Sequence, residues 1–291
     1  LVAAQPGIWM AEKLSTLPNA WSVAHYVELD GTLDAPLLAQ AIVEGMTQAD
    51  TLRMRFTEDN GEVWQSVDDS QRFPLPQIVD LRAESDAHTA ALALMNADLA
   101  QNLRVDGGKP LTHHAIFQLS DTRWYWYQRY HHLLVDGFSF PAITRQIAAI
   151  YRAMRHHDAL PESPFTPFAE VVEEYQRYRD SEAWQRDKAF WSEHKRTFPA
   201  ASSLSDAPLP GRAATTDIWR LKLALDNPAF RRPTQAAPGC QPAALALALV
   251  ALWLGRLRSR PHYAAGLIFM RPSVSAALTP PGTVLNLLPL R

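Results

Sequence analysis

Cysteine is almost absent from this chain of 291 residues, since Cys240 is the only one. A single thiol excludes an internal disulfide, which suits a reducing compartment. The sequence also has no apolar run of about 18 residues that could span a membrane. The first residues lack a charged leader followed by an apolar region and a cleavage site. We therefore expect a soluble, cytoplasmic protein without a membrane partner.

Neither sign of charge is in large excess. The chain has 28 basic and 30 acidic residues, a net charge of −2 and a pI near 6.6. This balance does not indicate nucleic-acid binding. The hydrophobic content of 47% is ample for buried cores, and the length is typical of about two domains.

Helix and strand patterns are mixed along the first half of the chain. Asp34 is expected to cap a helix with Pro36 in its first turn. Asn60-Gly61 between two alternating runs is a strong hairpin signal. We predict strands over 23–29, 52–58, 61–67, 111–119 and 122–129, and helices over 35–46 and 88–103. This order favours an α/β sandwich.

The second half begins after a proline-containing linker at 158–167. We predict a long helix over 168–198, a flexible loop over 199–216 and a strand near 218–223. The almost continuous hydrophobicity of 243–257 predicts a buried helix. Residues 262–269 are predicted to form a central strand.

One stretch, residues 130–139 (YHHLLVDGFS), lies where an aromatic strand ends and an amphipathic helix begins. Side chains alternate along a strand, so His131 and His132 should point to opposite faces. Gly137 would permit a sharp turn and a close backbone approach to a ligand. Ser139 is the expected N-cap of the helix, whose partial positive charge favours developing negative charge.

An imidazole in this position can transfer protons near neutral pH. Other histidine pairs, at 113–114 and 156–157, lack a following Asp-Gly and a strand-to-helix turn. We expect them to be structural. A zinc site is the rival functional interpretation, but it needs three or four ligands, and no spaced His/Asp cluster accompanies Cys240.

The string HHxxxDG resembles the core motif of the condensation domains of non-ribosomal peptide synthetases. Further stretches are similar in order and spacing: 3–9 (AAQPGIW) to the AQ…W motif, 52–56 (LRMRF) to LRTxF, 168–172 (FAEVV) loosely to YxDY, and 286–291 (NLLPLR) to an asparagine motif. The resemblance covers the whole chain. It implies membership of the superfamily of chloramphenicol-acetyltransferase-like acyltransferases.

The implied fold is a two-lobed α/β sandwich, with an N-terminal lobe at 1–167 and a partial C-terminal lobe at 168–291. The family's domains continue past the motif at which this chain ends. The second lobe is therefore expected to be incomplete, which puts independent activity in doubt.

The implied reaction is amide formation between an acyl group on one carrier protein and an aminoacyl group on another. Both substrates are attached to phosphopantetheine arms of the carrier proteins, so the resemblance implies no directly bound cofactor. It implies an aryl or acyl carrier protein as donor partner, a peptidyl carrier domain as acceptor partner and an adjoining adenylation domain. Within the family, the chain is similar to domains of siderophore assembly, which implies 2,3-dihydroxybenzoyl as donor and seryl as acceptor.

The motif match makes His132 the central catalytic residue, with Gly137 near the developing charge. His131 is a further candidate, although a hydrogen-bonded scaffold role is the alternative. Asp136 is expected to turn inward and pair with Arg53, with Arg55 in reserve. A coenzyme-A-dependent acyltransferase and a non-catalytic fragment that only docks carrier proteins remain as alternatives.

Overall fold

The computed structural model describes residues 1–15, 19–105, 108–199, 239–259, 262–269 and 275–290. The chain divides into two compact units. One comprises Leu1–Trp184 with Ile268–Asn286, and the other Gln185–Leu267 with Leu287–Arg291. The predicted lobe boundary at residue 167 stays a prediction. The predicted strand near 218–223 lies outside the described residues.

Helices and strands follow one another as a mixed α/β chain. The helices are α1 (Gln5–Leu14), α2 (Ala35–Thr47), α3 (Ala87–Leu99), α4 (Ser139–His156), α5 (Phe168–Arg179), α6 (Glu182–Arg196) and α7 (Pro242–Leu257). The strands are β1 (Ser22–Asp30), β2 (Met54–Asp59), β3 (Glu62–Val67), β4 (Gln77–Asp80), β5 (Thr112–Gln118), β6 (Arg123–His131), β7 (Ala265–Phe269) and β8 (Asn286–Leu290). No helix within those ranges has the length and apolar character needed to cross a bilayer.

The main sheet has the strand order β1-β6-β5-β4. Strand β6 is antiparallel to both β1 and β5, while β4 runs parallel to β5. One face of the sheet packs Trp126 with Ile42 of α2 and Ile143 of α4 in a single core. The opposite face packs Tyr125 with Met95 of α3. The predicted α/β sandwich is therefore confirmed.

Local sequence signals set several element boundaries. Asp34 Oδ1 accepts a hydrogen bond from the Leu37 N–H at 2.9 Å, so the predicted cap of α2 is confirmed. Asn60 and Gly61 have φ angles of 51° and 80°. This pair joins the antiparallel strands β2 and β3, so the predicted hairpin is confirmed as well.

The predicted long helix over 168–198 is two helices. Helix α5 ends at Arg179 and α6 begins at Glu182. The Ser181 N–H donates to the Tyr178 carbonyl, and the Ser181 hydroxyl oxygen accepts from the Trp184 N–H. A serine at a helix start satisfies backbone groups that would otherwise lack partners, which explains the break here.

The prediction that the helix over 243–257 is buried is wrong. Helix α7 has no buried residue, and Leu252 and Trp253 are 55% and 59% exposed. Apolar residues on all sides of a helix indicate that it could be buried. Whether it is buried depends on the elements that pack against it. The strand predicted over 262–269 is confirmed as β7, but its one partner among the described residues is β8, so the central position predicted for it is not observed there.

Candidate active site

The histidine pair lies at the end of β6, the second strand of the main sheet. The His131 N–H donates to the Leu111 carbonyl at 2.9 Å, and the His132 N–H donates to the Trp21 carbonyl at 2.7 Å. These bonds attach the end of the strand to its neighbours on both sides. Beyond it, Leu133 is fully buried and anchors the loop in the core.

His131 is built into the interior, with 2% of its surface exposed. Its Nδ1 accepts a hydrogen bond from the Leu133 N–H at 3.1 Å. Because Nδ1 is an acceptor, the neutral ring carries its proton on Nε2. That nitrogen lies 3.5 Å from Glu12 Oε2. His131 thus braces the loop through Nδ1, whereas its buried Nε2 makes no hydrogen bond among the described residues and has the Glu12 carboxylate nearby.

His132 has a different environment, since it is only half-buried. Its Nδ1 is enclosed and has no hydrogen-bond partner within the described part of the chain. The ring stands edge-on to Trp21, with centroids 6.3 Å apart. Because Nδ1 is enclosed, Nε2 is the ring nitrogen that can meet a substrate. The His132 carbonyl accepts a hydrogen bond from the Thr283 hydroxyl.

Asp136 is 1% exposed, and its carboxylate accepts several hydrogen bonds. Oδ1 accepts from the Phe138 N–H at 3.1 Å, the Ser139 N–H at 3.2 Å and the Ser139 hydroxyl at 3.0 Å. Oδ2 accepts from the Val284 N–H at 3.2 Å. One carboxylate therefore joins the loop, the start of α4 and a segment far along the chain.

The prediction that Ser139 caps α4 is wrong, because the helix begins at Ser139 and Phe138 occupies the N-cap position. Asp136 accepts the first amide protons in its place. The Ser139 hydroxyl oxygen is instead acceptor to the N–H groups of Asp136, at 3.1 Å, and Gly282, at 3.0 Å. A buried carboxylate ahead of the helix thus satisfies the amides of the N-cap residue and of the first helical residue, at the positive end of the helix.

The segment 282–284 is a part of the site that the sequence reasoning missed. The Thr283 side chain is fully buried, and its hydroxyl also donates to the Val135 carbonyl at 3.0 Å. A Cβ at Gly282 would overlap the Phe168 ring, so this position requires glycine. The available signal was Pro281-Gly282 shortly before the asparagine motif, whose first residue, Asn286, begins β8.

Gly137 is exposed, and a Cβ added there would meet no atom within 4 Å. The expected turn is formed, since the Ser139 N–H donates to the Asp136 carbonyl at 3.0 Å across Gly137, but the φ of Gly137 is not positive, so this turn does not require glycine. Its N–H has no hydrogen-bond partner in the described ranges. The exposed side of the loop that follows His132 therefore carries a backbone donor without a partner among the described residues.

Arg53 does not pair with Asp136, so that prediction is wrong. The Arg53 guanidinium pairs with Asp50 at 2.9 Å and with Asp69. Asp50 in turn accepts from the Phe168 N–H at 3.1 Å, at the start of α5. Arg53 precedes the β2-β3 hairpin, whose sheet is separate from the one that carries the loop.

Arg55, the reserve partner, pairs with Asp68 at 3.1 Å. Arg55 lies on β2, and its partner Asp68 is next to Asp69, a partner of Arg53, directly after β3. The arginines of the LRMRF stretch therefore stabilise the turn that follows the hairpin.

The AQ…W stretch reaches the loop directly. Gln5 is fully buried, and its Nε2 donates to the Leu133 carbonyl at 3.2 Å. Trp9 packs against Phe56 with ring centroids 6.1 Å apart. The first helix thus holds the backbone next to the histidine pair, a role that spacing alone did not reveal.

The other histidine pair on the main sheet has structural surroundings. His114 is 5% exposed, and its Nδ1 accepts from the Trp126 indole N–H at 3.2 Å. Burial lowers the pKa of His114 to about 3, so it is neutral at physiological pH. No group of three or more His, Cys, Asp or Glu side chains that could hold a metal lies in the part of the chain that the structure describes.

Comparison with known proteins matches residues 1–291 to the family model of the condensation domain. The chain is 67% identical over 290 residues to enterobactin synthase component F of Escherichia coli (strain K12), covering 100% of this chain and 22% of that protein. It is 31% identical over 292 residues to a dimodular nonribosomal peptide synthase of Bacillus subtilis (strain 168), covering 100% of this chain and 12% of that protein. The chain thus spans about a fifth or less of these relatives.

Solved structures agree with this assignment. The first condensation domain of the calcium-dependent antibiotic synthetase, in complex with a substrate analogue, matches with a TM-score of 0.85 and 28% identity over 100% of this chain and 68% of that one. The starter condensation domain of rhizomide synthetase RzmA matches with a TM-score of 0.76 and 26% identity, covering 100% of this chain and 65% of that one. The chain belongs to the condensation-domain family of the non-ribosomal peptide synthetases, as its HHxxxDG motif predicted.

Proposed function

We propose that this chain is the amide-forming domain of a siderophore synthetase. It transfers a 2,3-dihydroxybenzoyl group from the phosphopantetheine thioester of an aryl carrier protein to the amine of an L-seryl group on a peptidyl carrier domain. The carriers and an adjoining adenylation domain are its partners, and the cytoplasm is its location. The identity of 67% to enterobactin synthase component F supports this choice of substrates.

The observation that carries the proposal is the contrast within the histidine pair. His131 is 2% exposed and bonded through the loop, whereas His132 is half-buried with its Nδ1 enclosed. A stiff strand end thus presents one imidazole nitrogen, Nε2 of His132, to a reacting group. The Gly137 N–H, which has no partner among the described residues, lies on the same loop and suits a developing negative charge.

The role of His132 follows from the size of the rate enhancement that each possible role can give. A free α-amine has a pKa of about 7.7 to 8.0, so deprotonating it in the ground state saves less than about 1 kcal/mol near neutral pH. Proton removal during bond formation gives about 10² to 10⁴-fold, and positioning can give more. His132 therefore orients the amine and accepts its proton as the N–C bond forms and the thiolate leaves.

The test is a single-turnover reaction of the complete synthetase with the dihydroxybenzoyl and seryl carriers, followed by intact-protein mass spectrometry. Wild type should place the amide product on the acceptor carrier. His132→Ala should slow this step by at least about 10²-fold without moving the unfolding midpoint.

His88→Ala is the matched control. His88 is also half-buried, but its Nδ1 lies 2.9 Å from the Tyr125 hydroxyl on the face that packs α3. Full amide formation by a folded His132→Ala enzyme would overturn the assignment of His132. Binding of loaded carriers without turnover by wild type would favour the docking-only alternative.

An acyl-coenzyme-A donor is the second candidate. A variant of the starter condensation domain of rhizomide synthetase, similar to this chain with a TM-score of 0.81, was solved in complex with C8-CoA. Replacing the loaded aryl carrier by dihydroxybenzoyl-coenzyme A distinguishes a carrier-dependent from a coenzyme-A-dependent reaction. The carrier-dependent function predicts much slower product formation from the free thioester.

A further inference from the structure

Helix α1 makes two contacts with residues 131–138, which we call the histidine loop. Gln5 and Glu12 are seven residues apart, which places them on the same face of the helix. Gln5 Nε2 donates to the Leu133 carbonyl at 3.2 Å, and Glu12 Oε2 lies 3.5 Å from His131 Nε2. These contacts fall on the residues immediately before and after His132.

The contacts are linked through the loop itself. The Leu133 N–H donates to His131 Nδ1, so the proton of the neutral ring is on Nε2. An N–H that is buried without an acceptor costs free energy. His131 Nε2 makes no hydrogen bond among the described residues, and Glu12 supplies the one carboxylate within 4.0 Å of it there. The contacts run in sequence from Gln5 through Leu133 and His131 to Glu12.

The neighbouring charge does not compete for Glu12. Lys13, the next residue, pairs with Glu58 at 3.2 Å and lies over the Trp9 ring. The Glu12 side chain is 21% exposed, so its carboxylate is directed inward to the buried imidazole rather than lying free in water.

We infer that Glu12 is a positioning residue for amide formation, because it fixes the His131 ring and thereby the backbone that aims His132. This inference rests on the proposed function of His132. The His132 backbone is already held by Trp21 on one side and by the Thr283 hydroxyl on the other. Glu12, on α1, adds a second constraint, which acts on the ring of His131, the residue before His132.

The distance sets the size of the effect. At 3.5 Å the Glu12 contact is long for a hydrogen bond. Removing it should therefore loosen the loop without unfolding it. A small displacement of a catalytic group still costs rate, up to about 10²-fold for an error near 1 Å.

The experiment compares Glu12→Ala, Glu12→Gln and the matched control Glu58→Ala in the complete synthetase. The side-chain amide in Glu12→Gln retains an oxygen that can accept from His131 Nε2–H, whereas the alanine variant does not. Amide formation is measured as kcat and as KM for the seryl-loaded carrier. Hydrogen exchange of the peptide covering 131–135 is followed by mass spectrometry in the same proteins.

We expect Glu12→Ala to lower kcat by about tenfold with little change in KM, and to speed exchange of the 131–135 peptide about fivefold. Glu12→Gln should recover most of both, and Glu58→Ala should match wild type. Wild-type kcat and exchange in Glu12→Ala would overturn the inference. So would a kcat loss with unchanged exchange, or one that Glu12→Gln fails to recover.

These outcomes are separable from failure of the proposed function. If the wild-type synthetase forms no amide, the proposed function fails, while the exchange data still test whether Glu12 holds the loop. If wild type forms the amide and the Glu12 variants behave alike, only the role of Glu12 is wrong.

Discussion

Asp136 and Asp98 are both drawn into hydrogen-bonded clusters, but on opposite faces of the same sheet. Asp136 accepts from amide and hydroxyl groups of the histidine loop and of Val284. Asp98, at the end of α3, contacts the side chains of Arg129 and Tyr127 on β6.

The difference lies in what each carboxylate holds. The Asp136 cluster fixes a loop whose outer side is open, whereas the Asp98 cluster joins a helix to a strand. The two carboxylates, of which Asp136 is 1% exposed and Asp98 has 17% of its side chain exposed, therefore serve two purposes. Variants of Asp136 should change activity and stability together, and variants of Asp98 should change stability alone.

The largest expected effect is that of Asp136→Ala. It removes the acceptor of the buried Val284 N–H and the nearer acceptor of the buried Ser139 hydroxyl, and each unsatisfied group costs about 1 to 3 kcal/mol. We expect a loss of at least about 3 kcal/mol in the free energy of unfolding, measured by urea titration with tryptophan fluorescence. Amide formation should fall with it. A stable Asp136→Ala protein with full activity would contradict the structural role.

Asp98→Ala tests the other cluster. Arg129 is 1% exposed, and its guanidinium donates to the Asp98 carbonyl at 2.6 Å as well as to the carboxylate at 3.3 Å. Because the carbonyl remains in the variant, we expect a cost of about 3 kcal/mol, the low end for a broken buried pair. The single-turnover rate of the folded fraction should equal wild type. A rate loss would show that the two faces are coupled.

Much of this comparison could have been drawn from the sequence, but not all of it. The hairpin at Asn60-Gly61 and the cap at Asp34 are local signals, and both were predicted. The order of most strands and helices along the chain followed from such signals. The alternation of β6 also placed Trp126 and Tyr125 on opposite faces, as observed.

Contacts between distant segments could not be predicted from pattern. Nothing in the spacing of residues 136 and 284 indicates that a carboxylate and an amide will meet across 148 positions. The Arg53 pairing failed for the same reason, since motif order does not reveal which charges become neighbours. Strand β4 was missed because Gln77–Asp80 is short and its pairing is a parallel one with β5.

Two glycines sharpen the comparison within the site itself. At Gly282 an added Cβ would overlap Phe168, whereas at Gly137 it would meet nothing within 4 Å. Gly282→Ala should therefore cost about 1 to 3 kcal/mol of stability through overpacking. Gly137→Ala should leave the urea midpoint unchanged and lower the amide-forming rate if a substrate approaches that backbone. Equal stability losses in both variants would contradict this contrast.

The most gradual expected effect is the response to acid, which also differs between the two faces. Burial lowers the pKa of His114, on the face that packs α2 and α4, to about 3. Burial alone would raise the pKa of Asp98, but contacts with His113, Tyr127 and Arg129 lower it below its ordinary value of 3.8. Stability linked to Asp98 is therefore lost only below about pH 4.

His114 acts in a different pH window. Its pKa is lower in the folded protein than the value of about 6.5 expected for an unfolded chain, so the unfolded state binds the extra proton in between. Stability should fall by up to about 1.4 kcal/mol per pH unit as the pH drops below about 6.5. His25, whose pKa is also lowered by burial, contributes in the same window.

His114→Leu should flatten the profile of stability against pH between about pH 6 and 4.5, whereas Asp98→Asn should leave that range unchanged and flatten the profile below about pH 4. A profile for His114→Leu as steep as that of wild type would mean that His114 does not govern the acid sensitivity of this face.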